Sequence, residues 1–153
     1  MPTHAPVGYS CPFCLLAAGE ETELNCQSDR VWRDEATTAF VAPKWWETNP
    51  AHVIVIPNQH FENLYEVPED VLAAVYSTAK RVAGALRTEY GCEGTSTRQH
   101  NEPAGGQDVW HFHVHVYPRY ADDRLYESDG RTRWVDPDER APYAGRLRRA
   151  LES

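Results

Sequence analysis

His111-Phe-His-Val-His-Val-Tyr-Pro118, "HFHVHVYP", carries three of the chain's seven histidines at strict two-residue spacing. Side chains alternate across a β-strand, so His111, His113 and His115 share one face, spaced ~7 Å apart. Phe112, Val114 and Val116 take the other face and pack inward. A lone histidine is most often a core residue with its hydrogen bonds met. Three in register on one face call for chemistry. Two kinds fit: metal chelation by paired His-x-His imidazoles, or attack by one imidazole that its neighbours support.

The residues just before the strand bear on that choice. "AGGQDV" sets Gly105, Gly106 and Gln107 ahead of it. Glycine allows a tight turn whose backbone N–H groups hold phosphate oxygens. Gln107 can hydrogen-bond a bridging oxygen. A phosphate cradle beside an imidazole row favours phosphoryl chemistry over a simple metal trio.

The rest of the chain is read outward from there. "VIVIP", Val53 to Pro57, is a continuous apolar run, expected as a strand covered on both faces. "DRVWRDEATTAFVAP" reads as two strands around a turn at Asp34-Glu35. "KWWETNPAH" reads as a loop. Val71, Leu72, Val75, Ala79, Val82 and Leu86 follow the helical period, which predicts a long helix from residue 69 or 70 to about 90. Pro68 suits its start and Gly91 its stop. "GTSTRQHNE" predicts a strand, and "DVWHFHVHVYPR" the last core strand. Residues 139–151 are expected to form a short helix, within a tail past Tyr120 that looks like an appended flap. The expected fold is α+β: an antiparallel sheet of about five strands with one long helix against it.

Composition bounds the function. The chain has 153 residues, 41% of them hydrophobic, and a formal net charge of −8. That charge argues against long nucleic acid as a partner but leaves room for a small anion at a site of locally opposite sign. No apolar run of about 18 residues is present, so no membrane partner is expected. No basic-then-apolar leader is visible, and the chain is read as cytoplasmic. Cys11, Cys14, Cys26 and Cys92 are then read as metal ligands or buried thiols rather than disulfides. Cys11-Pro-Phe-Cys14 alone is ambiguous between a redox pair, half a zinc site and coincidence.

Asn101, "GGQ", His111-x-His113-x-His115 and the closing "YPR" together resemble the signature of the histidine triad (HIT) family. "VIVIPNQHFENL" resembles its strand-Pro-x-x-His element, and "AFVAP" its "AF-x-D" strand end. The likeness runs from about Cys11 to Tyr120, which implies one HIT domain with a core of about 11–120 and an extension over 121–153. It implies pairing as a homodimer and a small-molecule nucleotide as substrate.

The activity it implies is that of a nucleotidyl hydrolase or transferase at the α-phosphate of a nucleotide ester, anhydride or phosphoramidate. The alternatives are a dinucleoside-polyphosphate hydrolase or phosphorylase, and a nucleotide-binding regulatory module with little turnover. His113 matches the nucleophile. His115 is expected to orient or neutralise the phosphate, and Gln107 to touch the leaving-group oxygen. Asn101 matches an asparagine that holds the nucleotide, and His100 beside it is expected to line the pocket. The resemblance also implies structural zinc on Cys11, Cys14, His60 and His111, a set of two thiolates and two imidazoles that suits a closed site.

Two positions depart from the family's pattern. Ala42 stands where an acid holds the ribose hydroxyls. Asp108 follows "GGQ" where Ser or Thr donates to a phosphate oxygen, and an ionised carboxylate cannot donate. Trp45 and Trp46 read first as packing residues, and as an adjacent pair in a loop near the expected nucleotide pocket they are also candidates to stack on a base.

Overall fold

The structure is a computed structural model that describes residues 2–127 and 131–152. Five strands, β1 (Arg30–Arg33), β2 (Thr37–Val41), β4 (Val53–Pro57), β5 (Gly94–Arg98) and β6 (Val114–Arg119), form one antiparallel sheet in the order β1-β2-β4-β6-β5. β4 is buried at every position, which is what an unbroken apolar run requires. A second, two-stranded sheet joins β3 (Lys44–Trp46) to β7 (Thr132–Trp134). The expected loop at "KWWETNPAH" therefore begins as a strand. Its partner lies in the tail, so no local pattern announced it.

Three helices pack on the main sheet. α2 (Glu69–Tyr90) ends at Gly91, whose φ of +62° is the left-handed stop that glycine adopts without strain. Its buried face is Val75, Thr78, Ala79, Val82, Ala85 and Leu86. All but Thr78, which hydrogen-bonds Thr37, meet Val53, Val55, Phe112, Val114 and Val116 in one cluster. α3 (Pro137–Glu152) sends Ala144 and Leu147 into the same cluster. The tail is thus part of the core rather than a flap. The buried Arg140 side chain locks it there by a two-point ion pair to Asp29, at 2.8 and 2.9 Å. α1 (Pro12–Ala17) covers the opposite face, where Phe13 and Leu16 pack on Phe40, Ile54 and Ile56.

The last core strand is shorter than its sequence suggests. Pairing begins at Val114, so His111 and His113 lie just ahead of the ladder. The cause is where the backbone groups go. The Phe112 N–H donates to the Phe61 carbonyl at 2.6 Å, and the His111 carbonyl faces the His113 ring at 2.7 Å. Likewise β5 stops at Arg98, four residues short of the expected end, and Gln99 and Asn101 bond to each other through their side-chain amides.

Candidate active site and metal centre

His113 is the most informative side chain. It is 3% exposed, and its Nδ1 lies 2.7 Å from the His111 carbonyl. A carbonyl only accepts, so Nδ1 carries the proton and Nε2 keeps a lone pair. Burial holds the ring's pKa below its ordinary value. The His111 carbonyl and Asp108 oppose that, and the nearby His100 adds to it. The imidazole is therefore neutral at pH 7, with its free nitrogen toward a cleft of about 310 Å³.

His115 sits next on the same face and lines the same cleft. Its Nδ1 is 3.3 Å from Nε2 of His52, and burial holds its pKa well below the ordinary value. His52 also lines the cleft. Burial, then the charge of Arg98, pushes its pKa down to about 3. Its Nδ1 has no hydrogen-bond partner among the described residues. The register of β4 on β6 explains its position. Ile54 pairs with His115, so His52 joins the same face and stacks on Tyr117 at 4.4 Å.

The other expected residues divide. His100, Gly106 and Asp108 line the cleft. Gly106 has φ of +87°, a left-handed backbone that favours glycine, and a Cβ there would also crowd the His100 ring at 3.3 Å. The Asp108 carboxylate stands 3.7 Å from His113 Nε2 and is 79% exposed. Gly105 is not in the cleft wall; its carbonyl takes a 2.8 Å contact from His100 Nδ1. Gln107 is buried with its amide committed elsewhere. Nε2 donates to the Glu62 and Val109 carbonyls, and Oε1 accepts from the Glu102 N–H. Asn101 accepts from the Leu64 N–H at 2.8 Å, tying the end of β5 to the approach to α2. In this state Gln107 and Asn101 build the loop that carries the site and do not face the cleft.

Ala42 does face it, so no carboxylate occupies the position of the family's ribose-binding acid. The two tryptophans split: Trp45 is core and donates to the Ala42 carbonyl at 2.6 Å, whereas Trp46 lines the cleft. Lys44, Arg98, Thr132 and Trp134 complete the wall and carried no signal in the sequence.

A second cluster abuts the first. Cys11, Cys14, His60 and His111 bring one donor atom each within 4.8 Å of one another. The near contacts are 3.3 Å for Cys11 Sγ to His111 Nδ1, 3.2 Å for Cys14 Sγ to His60 Nδ1 and 3.2 Å between the two Nδ1 atoms. Ligands 2.0–2.3 Å from one tetrahedral ion would stand about 3.3–3.8 Å apart. His111 Nε2 lies 2.9 Å from the Pro57 carbonyl, which leaves Nδ1 unprotonated and aimed at the thiols. Burial and the neighbouring Cys11 push the Cys14 thiol up to about 12, a cost that a divalent cation reverses. The donor set fits a metal ion.

The HIT domain family matches residues 23–122, about two thirds of the chain. The chain belongs to the HIT family. Among HIT relatives, the protein Hit of Bacillus subtilis is 32% identical over 111 residues, 72% of either chain. The adenylylsulfatase HINT3 of Arabidopsis thaliana is 29% identical over 78% of this chain and 57% of its own length. A zinc-bound histidine triad family protein of Mycobacterium smegmatis superposes with a TM-score of 0.76 at 28% identity, covering 94% of each chain. The α+β architecture is that of HIT structures.

Proposed function

We propose that the chain is a nucleotidyl hydrolase or transferase that acts at the α-phosphate of a nucleotide through His113. One observation carries this reading: a buried, neutral imidazole, its tautomer held by the His111 carbonyl, with the free Nε2 facing a cleft. Nε2 forms a bond to phosphorus as the bond to the leaving group breaks. The leaving group takes the electron pair, and the product is a nucleotidyl-histidine. Water or another acceptor then attacks phosphorus and returns Nε2 to its starting state. His115 and the Gly106 turn flank the phosphoryl group. The likeness to HINT3, an adenylylsulfatase, supports this reading.

Cys11, Cys14, His60 and His111 hold structural zinc in this reading, supported by the donor geometry and by the zinc-bound relative. A bound zinc would tie the N-terminal segment to the residues just ahead of β6.

The test is mass spectrometry after brief exposure to an adenosine phosphoramidate, a dinucleotide and adenylyl sulfate. An adduct on His113 is expected from at least one of them. His113→Ala should keep the fold and lose at least ~10³-fold in turnover. Full activity in that variant, or an adduct elsewhere, would overturn the mechanism.

A further inference from the structure

The cleft carries a charge that the reaction at His113 does not use. Arg98 and Lys44 both line it, in a chain of formal net charge −8. Among the described residues neither forms an ion pair with a carboxylate, although the other two arginines near this wall do: Arg119 with Asp123 and Arg133 with Glu139. Arg98 lies opposite His115 in the register of β5 on β6. Its guanidinium is packed among three rings, at 4.3 Å from Tyr126, 5.1 Å from Tyr117 and 5.8 Å from Trp46. The Lys44 ammonium lies 5.4 Å over Trp134, across the β3-β7 pair. Among the described residues that line the cleft, only Asp108 carries the opposite charge.

Stacking fixes the plane of a guanidinium while leaving its N–H edge to donate. Such an edge matches two oxygens of a phosphate or sulfate. Arg98 is thus pre-organised for an anion, and Trp134 of β7 holds Lys44 at the same cleft. Arg98 is half-buried and hydrogen-bonds the Tyr126 hydroxyl, which leaves the other N–H groups of its guanidinium to an anion.

We propose that Arg98, assisted by Lys44, is the specificity-determining residue for a second anionic group on the substrate, a phosphate or sulfate beyond the phosphoryl group that His113 attacks. The proposal rests on the phosphoryl-transfer reading above. The second anion has two possible sources: it extends the 5′ chain, as in a diphosphate or an adenylyl sulfate, or it sits on the ribose, beside the position that Ala42 leaves without an acid.

Calorimetric titration of the full chain with AMP, ADP and adenosine 3′,5′-bisphosphate separates them. Wild type should bind ADP or the bisphosphate about ten-fold tighter than AMP, and whichever gains names the source. Arg98→Met should abolish that preference while changing AMP affinity by less than about three-fold. Lys44→Met, at an exposed side chain that leaves the fold alone, should reduce the preference about three-fold. Should Arg98→Met lower the melting temperature sharply, the Lys44 variant decides. Equal affinity for all three ligands in wild type overturns the proposal while leaving the His113 reading intact. So does an equal loss across the three in Arg98→Met, or an unchanged preference in Lys44→Met. Failure of all three nucleotides to bind wild type removes both readings.

Discussion

Replacing Asp108 by asparagine should tighten the binding of a nucleotide monophosphate. The attacked phosphorus must come within about 3–3.5 Å of His113 Nε2. The Asp108 carboxylate is 3.7 Å from that same nitrogen, so phosphate oxygens arrive about 4 Å from it. Two like unit charges at that distance repel by about 1 kcal/mol in bulk water and by about 4 kcal/mol at an effective dielectric of 20. The carboxylate is 79% exposed, so the solvent-screened end of that range applies. About 1 kcal/mol is roughly five-fold in affinity. Calorimetry with AMP at pH 7.5 should therefore show Asp108→Asn binding about five-fold tighter than wild type at 50 mM salt. At 1 M salt, where the screening length is about 3 Å, the gap should shrink. Wild type binding AMP as tightly as the variant at low salt would refute the reasoning. The carboxylate would then have swung away or taken up a proton.

Two further outcomes follow from the same geometry. Metal analysis should return about one zinc per chain, and Cys11→Ser should lower both zinc content and melting temperature while a nucleotidyl-His113 adduct still forms; a metal-free chain with unchanged melting would remove the zinc reading. Acid should unfold the chain through His52, which is neutral in the folded state down to about pH 3 but takes a proton near 6.5 when unfolded. The unfolded state then binds more protons, so stability is complete above about pH 6.5 and falls as pH drops toward 3. The loss through this residue by pH 5 is on the order of 2 kcal/mol; denaturant titrations should show a shallower pH slope in His52→Asn, and an unchanged slope would count against it.

Some of this site was plain in the sequence because its signal is local. Alternation over His111, His113 and His115 put the imidazoles on one face, and Val114 and Val116 do pack on the other. The Cys11 and Cys14 pair together with His60 and His111 was legible only through the family resemblance, since the four meet across about a hundred residues. His52 could have been found by carrying the alternation of β4 one step back from Ile54. Arg98 gave no warning: its significance comes from Trp46, Tyr117 and Tyr126, which three separate segments deliver. Gln107 and Asn101 show a different limit. A motif fixes where a residue stands in the chain, but hydrogen-bond competition decides where its amide points. Here the carbonyls of Glu62 and Val109 and the N–H of Leu64 win.

The pairing of β3 with β7 also sets an order of assembly. Lys44 and Trp134 are register partners, yet every strand of the main sheet and every histidine precedes residue 120. A growing chain therefore completes its imidazole row before Thr132 and Trp134, the cleft residues that β7 supplies, exist. At roughly 5–20 residues per second, the stretch from Tyr120 to Trp134 takes on the order of 1–3 s to make. The far wall of the cleft thus depends on a segment made after its imidazoles.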